Sequence, residues 1–275
     1  MFGKEELALE AYVPFLYSED KEVEIFFRES ALAMLESEDE WYKTEALYIE
    51  ADEEETSNKP GLFSKLASVV KGIINTIIQT IKDFIQSIKN AFGPKLTVDA
   101  YMDSKTAQLR LSEDIEKITE QIEAEILSER KGVQAISKFV QKISSVTKFP
   151  LDAFISDKTI GAAIDKANAF AVEQGGTIIK AAAATMLANK LHQLTAESLH
   201  LTEKLQQTEA ELEAKRNAID ASKLADYDKN GHTIMNTIRK MSLAIDTTSK
   251  RAMKYYVQLT KPVKEFKTNL NKYKN

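Results

Sequence analysis

Between Ile234 and Leu259 the core-forming positions return at intervals of four and three without a break: Ile234, Ile238, Met241, Ile245, Thr248, Ala252, Tyr255 and Leu259. A strand needs a period of two, so this spacing demands a helix, and it keeps one seam turned toward a coiled-coil partner. A second register runs upstream through Leu187, Leu191, Leu194, Leu201, Leu205, Leu212 and Ile219, with Ser198, Thr208 and Lys215 in the remaining slots. Between the two lies DYDKNGHT, rich in turn-forming Asp, Asn and Gly. Two such helices around Asn230 and Gly231 predict a long antiparallel coiled-coil hairpin near the C-terminus. A helix over 187–225 would be roughly 58 Å long at ~1.5 Å per residue, so an elongated shape is expected.

The rest of the chain agrees with an all-α bundle. Nine glycines and five prolines in 275 residues leave too few turn signals for many short strands. Residues 101–148 read as helical, with Leu111, Ile115, Ile118 and Ile122 on one stripe. Over 159–190 alanine dominates, and Gly175 with Gly176 reads as a turn between two closely packed small-residue helices. The expected organisation is an acidic helical head (1–58), an amphipathic helix (59–94), a helical segment (95–150), an Ala/Gly-rich helical hairpin (151–190) and the coiled-coil hairpin with a basic tail (187–275). All five can run as one continuous elongated domain.

Charge is divided along the chain. Residues 1–58 hold 18 acids against 4 bases, whereas 229–275 hold 11 bases against 2 acids. Head and tail can therefore attract each other, within one molecule or between neighbours.

The segment PGLFSKLASVVKGIINTIIQTIKDFIQSIKNAFGP, from Pro60 to Pro94, is the strongest candidate for an interaction. Leu62, Phe63, Leu66, Val70, Ile74, Ile77, Ile78, Ile81, Phe84, Ile85, Ile88 and Phe92 form a broad apolar arc at helical spacing. Lys65, Lys71, Lys82 and Lys89, with Ser, Asn and Gln, make the opposite face. Three destinations fit that arc: the core of its own bundle, a partner or second copy, or the interface of a membrane.

Motifs for chemistry are lacking. There is no cysteine, so thiolate metal sites, disulfides and cysteine nucleophiles are excluded. Glu197 and His200 make one Glu-x-x-His step, where a di-iron bundle needs two with two more glutamates. Asp226, Asp228, Asn230 and Gly231 match the first half of an EF-hand loop, but its twelfth position falls on Thr237 instead of glutamate. A phosphate loop, a zinc-protease helix and a nucleophile elbow are all missing. No catalytic residue, cofactor or metal is expected, and no enzyme. The lysines and aromatics of the tail suit single-stranded nucleic acid, but Tyr255, Phe266 and Tyr273 also fall on the apolar seam, which disfavours that partner. Neither a secretory signal nor a constitutive membrane-spanning run is visible in the sequence, and localisation stays open.

The first functional expectation is a structural or assembly protein acting through helix–helix association, with itself as a homo-oligomer or with a protein partner, as in a virion or secretion machine. The alternative is a membrane-binding or pore-forming helical protein using residues 61–93. In layout, with long helices, no cysteine and a concealed apolar element, the chain is similar to helical pore-forming toxins. That likeness is one of architecture and carries no motif.

Overall fold

The computed structural model describes residues 62–93, 96–98, 100–103, 107–143, 151–171 and 174–274. The acidic head, and with it any contact between head and tail, lies outside the described residues. So do the side chains of the last lysines and aromatics of the tail.

The described residues are mostly helical, as the all-α reading expects. In chain order they form α1 (Leu62–Phe92), a 3-10 turn (Ala100–Asp103), β1 (Gln108–Glu113), α2 (Ile115–Lys142), α3 (Leu151–Ile155), α4 (Lys158–Asn168), β2 (Gln174–Lys180), α5 (Ala181–Asn217), a second 3-10 turn (Ala221–Lys223) and α6 (Leu224–Lys274). At 51 residues, α6 is roughly 76 Å long and continues through Pro262. The boundaries have local causes. Asp114 caps α2 by accepting from the Lys117 N–H at 3.3 Å, and Asp157 caps α4 by accepting from the Thr159 N–H at 2.8 Å. Helix α1 stops one residue before the Gly93–Pro94 breaker.

Helices α5 and α6 pack along each other. Helix α1 lies against both, and α2 lies against α5, α6 and α4. The apolar stripes face inward: Ile118, Ile122, Ile126, Val133, Ile136 and Val140 of α2 are buried, as are Leu191, Leu201, Leu205 and Leu212 of α5 and Ile234, Ile238, Met241, Ile245 and Leu259 of α6.

Three expectations are corrected. Leu111 belongs to a strand rather than to the stripe of α2: β1 pairs antiparallel with β2, with Leu111 opposite Thr177 and Leu109 opposite Ile179. Gly175 and Gly176 lie within β2 rather than in a turn between helices. The β-branched run Thr177, Ile178 and Ile179 favours extended backbone. Gly176 also passes so close to its partner strand that a Cβ there would sit 3.1 Å from the Leu111 carbonyl oxygen. Third, Asp226 to Gly231 form the opening turns of α6, and the break between α5 and α6 falls earlier, around Ala218–Asp220. The reason is tertiary. Asp228 accepts two bonds from Arg216, at 2.6 and 2.9 Å, and the Tyr227 hydroxyl donates to the Leu212 carbonyl at 2.9 Å.

Lys215, which occupies a core slot of the heptad pattern, has a specific task. Its Nζ donates to the carbonyls of Val140, Gln141 and Ile143 at 2.8, 3.0 and 2.7 Å, closing the C-terminal end of α2. Lys215→Met keeps the stem but removes these charge-assisted bonds. A loss of about 1–3 kcal/mol is expected, read as a lowered urea midpoint with an unchanged slope.

Candidate functional site: the covered face of α1

The apolar arc of α1 is turned inward. Phe63, Leu66, Val70, Ile74, Ile77, Ile78, Ile81, Phe84 and Ile88 are buried, and Ile85 and Phe92 are half-buried at the margin. Leu62 opens the helix, and its side chain is outside the described residues. Lys65, Lys71, Lys82 and Lys89 point outward and are exposed.

Aromatic anchors hold both ends. Near the N-terminus, Phe63 meets Tyr227 edge-on at 6.3 Å, with the Arg216 guanidinium 5.2 Å from its ring centre. Near the C-terminus, Phe84 and Phe92 approach Tyr256 edge-on at 5.8 and 6.4 Å. Just beyond the helix, the Leu96 N–H donates to Asn189 Oδ1 at 3.1 Å, and the Asn189 amide donates back to the Leu96 carbonyl at 3.0 Å. Polar ties along the helix lie at its exposed edge, where Gln206 donates to Asn75 at 2.6 Å and Lys82 pairs with Glu203 at 3.0 Å. Exposed pairs of this kind hold helices only weakly.

Two polar atoms in the covered region have no hydrogen-bond partner among the described residues. Glu209 of α5 is buried with its Oε1 unbonded. Burial first, then the neighbouring Glu213, push its pKa up to about 7, while Lys71 of α1 opposes the shift. His192 of α5, whose ring lies 6.1 Å from that of Tyr256, has an unbonded buried Nε2. Burial and the charge of Lys89 hold its pKa below the usual imidazole range. The buried hydroxyls of α5 turn back on their own helix: Thr195 donates to the Leu191 carbonyl at 2.9 Å, Ser198 to Leu194 at 3.2 Å and Thr202 to Ser198 at 2.9 Å. Separating the helices leaves these bonds intact.

The candidate chemistry resolves otherwise. Among the described residues no group of three or more His, Cys, Asp or Glu is placed to hold a metal. In the EF-hand-like segment Asp228 is committed to Arg216, and Asn230 donates to the Asp226 carbonyl at 2.9 Å. Glu197 pairs with Arg130 across the α2–α5 contact. No helix among the described residues is long and apolar enough to cross a membrane. No protein-family model, curated protein or solved structure matches the chain.

Sequence reasoning singled out the apolar arc but not the groups beneath it. Glu209 falls between Leu205 and Leu212, at intervals of four and three, so a carboxylate beside the core register was legible. Its closeness to Lys71 was not, because that depends on how α1 docks.

Proposed function

We propose that the protein is a non-enzymatic helical bundle that acts by releasing α1, whose apolar face then binds the interface of an anionic membrane. The supporting observation is that most of this arc is buried, with α1 lying against the chain's own α5 and α6. A face consumed in that way serves a membrane or a partner only after it is freed. Burial of the face argues against a standing assembly surface and supports the membrane reading. Release also frees Glu209 Oε1 and His192 Nε2 from a site where each atom is unbonded. A freed α1 presents four lysines opposite its arc, which suits a helix lying in the plane of a negatively charged surface. In this reading α5 and α6 are the arms of the antiparallel coiled-coil hairpin that the heptads predict. The pairing of Arg216 with Asp228 at one end and of His192 with Tyr256 toward the other runs oppositely along the two helices and favours that arrangement.

Self-association is the second reading. Its support is that every copy carries, between α5 and α6, the surface to which a neighbour's freed α1 is complementary.

One experiment separates them. In this cysteine-free chain, Asn75→Cys and Gln206→Cys are joined by a short bismaleimide that a reductant cleaves. Wild type and the unbridged variant are expected to float with vesicles containing phosphatidylglycerol. The bridged protein should stay at the level of a lipid-free control and recover on cleavage. Flotation of the bridged form would sink the membrane reading. Bridge-sensitive light scattering without lipid would put self-association in its place.

A further inference from the structure

On the other side of α6, two carboxyl groups share one hydroxyl. Glu125 and Glu129 lie one turn apart on α2, and both are buried. Thr248 Oγ1 of α6 lies 2.6 Å from Glu129 Oε1, 3.1 Å from Glu125 Oε2 and 3.2 Å from the Ala244 carbonyl. Arg251 donates to Glu125 Oε2 at 2.9 Å and, through its other arm, to the Ala167 carbonyl at the end of α4 at 2.8 Å. Its guanidinium lies 4.2 Å from the Phe170 ring centre. Glu129 Oε2 has no partner among the described residues.

Hydrogen counting restricts the charge state. A hydroxyl carries one hydrogen. Were both carboxyl groups ionised, three acceptors would compete for it, and two buried negative charges would face the single guanidinium of Arg251. A proton on Glu129 Oε1 removes both conflicts. Glu129 then donates along the shortest contact, Thr248 accepts it, and the Thr248 hydrogen serves Glu125 or Ala244. The Glu125–Arg251 pair is left electrically balanced. We infer that Glu125, Glu129, Thr248 and Arg251 form a proton-operated clasp between α2, α4 and α6, closed when Glu129 is protonated and loosened when it ionises.

Other nearby charges do not replace that proton. From α4, Lys166 acts on Glu125. From α6, Asp246 is paired with Lys250 at 2.9 Å. From α5, Lys190 and Glu197 are engaged with Glu123 and Arg130 of α2. Burial, with Glu125 adding to it, raises the Glu129 pKa from 4.5 to about 7. A raised carboxyl pKa means that the closed form holds its proton more tightly than the open one. Its stabilisation is complete below about pH 4.5 and is lost as pH rises through about 7, weakening closure on the order of a hundredfold at full linkage. The clasp is separate from the docking of α1.

The test is a carbon-13 carboxyl titration of the glutamate-labelled full chain, with the Glu129 signal assigned by its disappearance in Glu129→Gln. A midpoint near 7 is expected, and Thr248→Val should displace it by removing the hydroxyl that contacts Glu129 Oε1. In parallel, amide exchange in α2, corrected for the intrinsic rate, should quicken between pH 5 and 8 in wild type and stay flat in Glu129→Gln. A midpoint in the ordinary glutamate range near 4.5, or the same pH response in Glu129→Gln as in wild type, would overturn the proposal. Should that variant fail to fold, the wild-type exchange profile and the Thr248→Val shift decide the matter by themselves.

Discussion

Replacing Ile74 with aspartate is expected to lower stability by about 4 kcal/mol or more, the larger of the two strongest effects. Ile74 has no exposed surface and sits midway along the covered arc of α1. Removing a buried aliphatic side chain of this size costs about 2–5 kcal/mol. An unpaired carboxylate in the same place adds several more unless it reaches water. The cheapest escape is for α1 to leave as a unit. Most of the contact it gives up is apolar, and the buried hydroxyls of α5 keep their own carbonyls. Amide exchange should therefore show protection lost over residues 62–92 while α2 and the α5–α6 pair retain theirs. The urea midpoint should fall sharply. A midpoint within experimental error of wild type would mean that α1 contributes little to the bundle.

The sequence carried the long-range periodicities far better than the short elements. Helices α5 and α6 were legible because their seams repeat over many turns, and no single substitution hides a pattern of that length. The arc of α1 was legible for the same reason. Strands β1 and β2 were not, because six and seven residues pair across 60 residues of intervening chain, and Leu111 fits a helical stripe as well as a strand. The break between α5 and α6 was misplaced because DYDKNGHT has the composition of a turn. The bonds from Arg216 to Asp228 and from Tyr227 to Leu212 hold it as helix. Glu125 and Glu129 stand on the same stripe as Ile118 and Ile122, which marks them as charges out of place. What they meet there, Thr248 and Arg251, lies 119 to 126 residues away and belongs to the packing.

Gly231→Leu should free the same helix while leaving its face intact. A glycine inside a helix costs about 1 kcal/mol relative to alanine, so one that stands in the second turn of α6 needs a packing reason. A Cβ at this position would lie 2.7 Å from Phe63 Cε2 and 3.5 Å from the Tyr227 ring. The Phe63 ring has little room to yield, with Tyr227 at its edge and Arg216 over its face. A leucine there must drive it out, at about 1–3 kcal/mol of overpacking, offset in part by better helix propensity. Loss of protection should begin at the first turns of α1, whereas the Tyr256 anchor at the other end holds longer. A net effect near 1.4 kcal/mol would raise the freed population roughly tenfold. Flotation with phosphatidylglycerol vesicles at limiting lipid should rise with it. Ile74→Asp also undocks α1, but it sets a carboxylate in the middle of the arc that would enter the lipid, so its flotation should fall below wild type. Two variants that share the undocking and differ in the apolar face then move lipid binding in opposite directions. If both bind vesicles equally, the arc of α1 is not the membrane-binding element, and its release serves contact with another protein surface instead.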